Sequence, residues 1–264
     1  MEKINLTISS SPHIRTSKNV SSVMRDVFIA LLPAALAGVY YFRVPALINI
    51  VVAVFGAVAA EYAVQKFMKR QVTVKDYSAA VTGLLLAMNV PASLPWWITL
   101  IGSIFAIVVV KQLFGGLGHN FMNPALAARA VMLASWPVQM TSWTTPGADA
   151  VSTATPLAVL KGIEGGQAAG IMDMLLGNTA GCIGETSALL LLLGGIYLIY
   201  RGVISYHIPV IYIATVAVLS FLFSGFQVSA ISYNVLAGGL MLGAFFMATD
   251  YASSPVNIKA QIVY

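Results

Sequence analysis

The sequence predicts an all-α polytopic membrane protein whose helices pack as a bundle. Hydrophobic residues make up 59% of the 264 residues and charged residues only 9%, whereas soluble domains carry about 25% charged residues. Long apolar runs are separated by short segments that hold most of the Lys and Arg residues. This composition excludes a soluble enzyme, a disordered chain and a nucleic-acid-binding protein, so the net charge of +5 is a signal of membrane topology.

Apolar segments of spanning length follow a polar N-terminal segment, 1–23, which lacks the apolar core of a signal peptide. A spanning helix needs about 20 residues. The segments are 24–43, 45–66, 77–91, 95–113, 121–137, 185–200, 206–224 and 230–248. The third segment is short and is followed by a stretch broken by Pro91 and Pro95, so we expect a half-helix or a re-entrant segment there.

The Lys and Arg residues outside the apolar segments predict the orientation of the bundle. With the N-terminus in the cytoplasm, Arg43 and Lys161 are the only ones in loops on the opposite side, if Lys111 is counted at the cytoplasmic end of the fourth segment. We therefore expect segment 1–23 to be cytoplasmic and the long loop 138–184 to be extracytoplasmic. A loop of this length in a compact protein usually has a function.

A short internal similarity predicts an inverted repeat with broken helices. Gly83–Leu86 precedes the proline-containing stretch 89–95, and Gly239–Leu242 precedes a similar stretch, 249–255. Five helices separate the two copies, and an odd number inverts the second copy, as in many transporters. We expect repeats at 24–137 and 185–264, the second being incomplete, because its counterpart of residue 137 would fall beyond Tyr264.

The loop contains the stretch Asp149–Leu157, which reads Asp-Ala-Val-Ser-Thr-Ala-Thr-Pro-Leu. By itself this stretch is typical of a Ser/Thr-rich helix cap before a proline. It also resembles the acceptor sequence for covalent flavinylation, in which a flavin transferase joins FMN through a phosphoester to the last Thr. The resemblance implies that Thr155 carries FMN and that Asp149 and Ser152 belong to the acceptor motif.

Further motifs extend this resemblance over almost the whole chain. They are Ser11–Arg15, Met24–Val27, Gly118–Asn120, Asn123–Ala125, Gly184–Ser187, Phe246–Asp250 and Ser254–Pro255. The chain resembles the RnfD/NqrB family, which contributes membrane subunits to the Rnf electron-transport complex and to the sodium-pumping NADH:quinone oxidoreductase. The short N-terminal segment makes the RnfD members, those of the Rnf complex, the closer match.

The resemblance implies a function in the bacterial cytoplasmic membrane. The Rnf complex moves electrons between ferredoxin and NAD and couples this transfer to export of Na⁺ or H⁺. This chain would be one relay, with covalent FMN on Thr155, and would need no catalytic residue. Family members can also hold a noncovalent riboflavin, for which the sequence offers no site. Iron–sulfur and flavin subunits of the complex would be its partners, since the single Cys182 cannot hold a cluster alone.

Several polar residues of the apolar segments have alternative interpretations. Asn123 is expected to cap a helix that begins at Pro124, or to contact the cofactor. Arg129 would form an ion pair, reach the interface, or contact the flavin. Asp250 is the candidate for an ion path. Two other carboxylates have simpler explanations.

Those carboxylates are Glu61, expected to reach the cytoplasmic interface, and Glu185, expected to cap the sixth helix. Two rival functions also remain at this level. One is a transporter or channel without a redox role, which the repeat and the broken helices favour. The other is a structural scaffold of a complex.

Overall fold

The computed structural model describes residues 19–146, 155–160 and 170–264, and these are all helices and connecting segments. The helices are α1 (Val20–Phe67), α2 (Ser78–Met88), α3 (Trp96–Phe105), α4 (Pro124–Ser135), α5 (Pro137–Met140), α6 (Pro156–Leu160), α7 (Ile171–Leu176), α8 (Ala188–Tyr200), α9 (His207–Phe223), α10 (Val228–Leu236), α11 (Leu240–Leu242) and α12 (Ile258–Val263). Two helices continue as π-helix, α3 over Ala106–Gln112 and α11 over Gly243–Met247. No strand occurs in the described ranges, where a single β-bridge joins Pro91 to Cys182.

Helix α1 contains the first two predicted segments, which meet at Arg43. This residue has φ 56° and ψ −137°, far from helical values, and it interrupts the helix at the predicted boundary. Ser21, at the start of α1, donates a hydrogen bond to the carbonyl of Lys75, which lies shortly after its end (3.3 Å). A straight helix of 48 residues would be about 72 Å long. The two halves must therefore run in opposite directions, as the sequence predicts.

The surface of the described residues fits a lipid environment. One helix, α1, is long and apolar enough to cross a membrane, and α10 with α11 and its π-helical continuation would make a second if this pair, bent by 66°, is counted as one span. Shorter apolar helices of 10–17 residues make up most of the remaining bundle. Large apolar side chains face outward, for example Phe55 at 73% and Phe223 at 87% exposure. Soluble monomers rarely present such large apolar surfaces.

The later predicted segments correspond closely to observed helices, with one exception. The short third segment is α2, and the fourth is α3 with its π-helical continuation. The eighth segment, 230–248, is wrong as a single helix, because the chain bends after Leu236 and resumes at Leu240. Gly238 has a positive φ of 75° within this bend, a conformation that glycine adopts at little cost. The inverted repeat itself stays a prediction.

Close backbone contacts hold the bundle around α1. A Cβ atom added at Gly83 of α2 would lie 2.5 Å from the carbonyl oxygen of Ala53, and one added at Gly194 of α8 would lie 2.4 Å from that of Ala30. Small residues at helix contacts allow this approach, and packing of this kind drives helix association in membranes. Both halves of α1 therefore lie at the centre of the packing.

An ion pair joins the first half of α1 to the end of α8. Arg201 donates hydrogen bonds from Nε (3.1 Å) and Nη2 (3.0 Å) to Oδ2 of Asp26. Asp26 is buried, whereas the Arg201 side chain is 48% exposed. Hydrogen bonding to Asp26 raises the pKa of the Arg201 guanidinium, which therefore stays charged. The pair fixes both helix ends at one face of the bundle.

Candidate functional site

A cavity of about 990 Å³ lies between α4, α6, the segment before α8, and α9 to α11. Ligand-binding cavities are typically about 300–1,000 Å³ and combine apolar walls with a few polar groups. The polar side chains of this cavity include those of Asn89, Asn123, Arg129, Thr155, Glu185 and Asn234. It is therefore large enough for a cofactor and holds three of the predicted site residues.

Thr155 lies on the cavity wall and immediately precedes α6. Its Oγ1 accepts a hydrogen bond from the Ala158 amide (3.2 Å), and its carbonyl accepts from the amides of Ala158 (3.0 Å) and Val159 (3.1 Å). Pro156 follows at the first helical position, where a missing N–H has no cost. The helix-cap interpretation is confirmed. It leaves the half-buried Thr155 at the cavity, where a covalent group on Oγ1 would have room.

Helix α4 supplies the second wall through Asn123 and Arg129. The Asn123 side chain accepts from the amides of Ala125 (3.0 Å) and Leu126 (3.4 Å), so the predicted cap is confirmed. Arg129 lies two turns further along and is half-buried, and its Nη2 is 3.9 Å from Sγ of Cys182. Neither salt bridge found in the described ranges involves Arg129. This leaves its charge available to a ligand of the cavity.

The segment before α8 forms the third wall, against the interrupted end of α2. The Ile183 amide donates to the Val90 carbonyl (3.0 Å), and Cys182 Sγ donates to the Asn89 carbonyl (3.4 Å). Glu185 accepts from the Cys182 amide (3.2 Å) within a short 3₁₀ turn. The prediction that Glu185 caps the following helix is wrong, because Ser187 caps α8 by accepting from the Leu190 amide. Glu185 lines the cavity instead.

A second, much smaller cavity of about 90 Å³ contains Asp250. The Asp250 carboxylate accepts from Nδ2 of Asn120 (3.2 Å) and from Oγ of Ser253 (3.3 Å). Asn123 lines both cavities, so they are neighbours across the start of α4. The structure therefore separates Asp250 from Thr155 but places it in the adjacent cavity.

Glu61 and Lys111 form a buried ion pair, which corrects two sequence-based expectations. Lys111 Nζ lies 2.9 Å from Glu61 Oε1, and the two side chains are 2% and 1% exposed. Glu61 does not reach the interface, because it faces the π-helical continuation of α3 rather than lipid or water. Lys111 is not a loop residue that reports topology. Sequence spacing missed the pair because 50 residues separate its members.

The predicted site residues thus divide into three groups. Thr155, Asn123 and Arg129 meet at the large cavity, and Asp250 lies in the small one. Ser152 and Asp149 lie outside the described residues. The sequence did not assign Glu185, Asn89 or Asn234 to a cavity. Two of these could have been suspected because they flank predicted helix breaks.

Comparisons with known proteins give matches that extend over nearly the whole chain. A subunit of the Na⁺-translocating ferredoxin:NAD⁺ oxidoreductase complex of Acetobacterium woodii is 53% identical over 100% of this chain and 83% of the relative. The correspondingly named subunit of the proton-translocating complex of Clostridium ljungdahlii is 46% identical over 100% and 84%. That of the ion-translocating oxidoreductase complex of Aliivibrio salmonicida is 36% identical over 97% and 85%. Residues 7–264 match the sequence profile of one family, so the chain belongs to the NQR2, RnfD, RnfE family.

Proposed function

We propose that this chain is the RnfD-type membrane subunit of an ion-translocating ferredoxin:NAD⁺ oxidoreductase and relays electrons through FMN joined by a phosphoester to Thr155. Relatives that match the whole chain are named as one and the same subunit of such complexes, which supports its place in one. The observation that carries the flavin assignment is the position of Thr155 on a large cavity that also contains Arg129 and polar amides.

The residues around the cavity fit FMN in charge and in size. Arg129 offers a guanidinium, which favours phosphate and reduced, negatively charged ring systems. Asn89, Asn123 and Asn234 offer amide groups that both donate and accept hydrogen bonds, as a flavin ring requires. Apolar side chains, among them Leu126 and Val216, cover much of the remaining wall. A covalent FMN would supply one- and two-electron chemistry, while the protein sets its position and potential.

The orientation proposed for the chain places Thr155 outside the cytoplasm. Tyr41, just before the break at Arg43, donates a hydrogen bond from Oη to the carbonyl of Leu176 at the end of α7 (3.1 Å). The ion pair of Asp26 and Arg201 lies at the other ends of their helices. This supports a loop 138–184 on the Arg43 side, opposite a cytoplasmic segment 1–23. We further propose the bacterial cytoplasmic membrane as its location.

The partners of this subunit follow from its chemistry. Iron–sulfur and flavin subunits would deliver and accept electrons, and a flavin transferase would attach FMN during maturation. A noncovalent riboflavin is a further proposed cofactor, to which we assign no residues. Ion export would be coupled within the assembled complex, with Asp250 as the candidate for an ion path.

The test is mass spectrometry of the protein made in its native host, combined with in-gel flavin fluorescence. We expect the peptide that contains Thr155 to carry the mass of FMN less water. Thr155→Val should abolish both the added mass and the fluorescence. Thr179→Val is the matched control, because Thr179 lines the same cavity and should leave both signals unchanged.

An unmodified Thr155 in cells that contain the transferase would refute the flavin relay. Substrate flux by purified, flavin-free protein would then favour the transporter or channel. A complex that fails to assemble without the chain, yet transfers electrons normally with Thr155→Val, would favour the structural scaffold.

A further inference from the structure

Three oxygen atoms surround the ammonium group of Lys111 inside the bundle. Nζ lies 2.9 Å from Oε1 and 3.1 Å from Oε2 of Glu61, and 2.6 Å from Oγ of Ser78. All three residues are at least 97% buried. Carboxylate and hydroxyl oxygens at such positions are ligands for hard monovalent cations. The ammonium therefore occupies a position that a free cation could take; we call it the Glu61 site.

Polar groups connect the Glu61 site to the surface of the protein. The Glu61 carboxylate accepts from Nε2 of Gln112 (2.7 Å) and from Nε2 of Gln65 (3.2 Å). Both glutamines also line a surface pocket of about 640 Å³, together with Arg70 and Lys75. This pocket lies on the face that the orientation proposed above assigns to the cytoplasm.

On its other side, the Glu61 site adjoins the small cavity. Lys111 and Ser78 line that cavity with Asn120 and Asp250. Asn123 in turn separates it from the large cavity that contains Thr155. A series of polar groups therefore runs from the surface pocket, through the Glu61 site, to the neighbourhood of the proposed flavin.

Stability alone does not explain this arrangement. Burying two charges costs much of what their attraction returns, and apolar replacements of similar size are often as stable. Ionisable residues within membrane bundles usually mark ion pathways. Lys111 also lies on a π-helix, a local widening that is frequent at functional sites.

We propose that the Glu61 site is a cation site on the ion path, at which a transported cation and the Lys111 ammonium alternate. An entering Na⁺ or proton neutralises Glu61, while the displaced ammonium moves into the small cavity, which Asp250 provides with a negative charge. When the cation leaves, the ammonium returns. One positive charge replaces another at the carboxylate in each direction, and the ammonium blocks passive leakage between cycles. The inference rests on the proposed function, since it requires an ion-translocating complex.

The experiment uses inverted membrane vesicles that contain the complete complex. Reduced ferredoxin and NAD⁺ start turnover, and ²²Na⁺ uptake is measured per NADH formed. A second arm uses sodium-free buffer and a pH-sensitive dye to measure proton uptake. The test variant is Glu61→Gln/Lys111→Met, which leaves no unpaired charge in the core. The matched control, Asp26→Asn/Arg201→Met, removes the other salt bridge found in the described ranges.

We expect the test variant to keep flavin fluorescence at Thr155 and to form NADH. Its uptake of the transported cation per NADH should fall about tenfold or more, the factor associated with losing one charge-assisted hydrogen bond. The control should keep the wild-type ratio. Loss in the ²²Na⁺ arm would identify Na⁺ as the cation, and loss in the dye arm would identify the proton.

The single variant Lys111→Met gives an independent readout. It removes the tethered cation but keeps the carboxylate, so we expect passive cation leakage through vesicles without ferredoxin. An unchanged cation-to-NADH ratio in the double variant would overturn the Glu61 site, even if Thr155 carries FMN. A wild-type complex without FMN on Thr155 would instead overturn the proposed relay, so the two failures are distinguishable.

Discussion

Replacing Asn49 by Leu should destabilise the bundle by disconnecting its interrupted segment. Asn49 is 2% exposed, and its Nδ2 donates to the carbonyls of Ala92 (3.1 Å) and Leu94 (3.0 Å). Its Oδ1 accepts from Oγ1 of Thr99 (2.6 Å). The two carbonyls belong to the non-helical stretch after α2, where the helix ladder cannot satisfy them. One side chain thus ties the second half of α1 to this stretch and to α3.

The magnitude follows from these three hydrogen bonds. A buried hydrogen bond contributes about 1 kcal/mol net in soluble proteins and about 0.6 kcal/mol between membrane helices. We therefore expect Asn49→Leu to lower the free energy of unfolding by about 2–3 kcal/mol, because Leu has a similar volume and leaves little void. At about 2–4 °C per kcal/mol, the midpoint of thermal unfolding should fall by roughly 4–12 °C.

The assay is thermal unfolding of the purified protein in detergent, followed by intrinsic tryptophan fluorescence. Asn234→Leu is the matched control, because Asn234 is half-buried and its Nδ2 donates to the Ala230 carbonyl of its own helix (2.9 Å). We expect that control to shift the midpoint by no more than about 2 °C. Equal shifts for the two variants would refute the role assigned to Asn49.

Two backbone positions give further predictions for the same measurement. Arg43→Gly should raise the unfolding free energy by about 1 kcal/mol, because glycine adopts φ 56° and ψ −137° without strain. Arg43→Ala keeps the Cβ atom, so an equal gain would contradict this explanation. Gly177→Ala should cost about 2–4 kcal/mol, because φ is 107° and the new Cβ would lie 1.6 Å from the Thr186 carbonyl oxygen. Gly118→Ala, also at positive φ but with no atom within 4 Å, should cost less; similar losses would rule out the clash.

Much of the fold was predictable because membrane helices are specified locally. Apolar length and flanking charge identified the helices, including the short α2 and the boundary at Arg43. The cap at Asn123 was predictable because a cap depends on residues within one helical turn. The bend after Leu236 was not, because the apolar run continues through it and only backbone geometry shows the break.

The candidate site was predictable only in part. The acceptor-like motif identified Thr155 from its immediate neighbours, and the depth of Arg129 in a helix identified its charge as unusual. Their meeting at one cavity depends on how α4 and α6 pack. The ion pair of Glu61 and Lys111 was missed for the same reason: each residue, taken alone, has the position of an interfacial side chain.

By itself, the amino-acid sequence determined the all-helical class, the number and approximate bounds of the apolar segments, and the residues that resemble a flavin acceptor. These properties depend on hydrophobicity and on contacts within a few residues. The tertiary structure alone decided which polar groups share a cavity and which charges neutralise each other. In a low-dielectric interior, the environment of a charge is set by partners that lie distant in sequence, and only packing brings Lys111 to Glu61 or Arg129 to the cavity of Thr155.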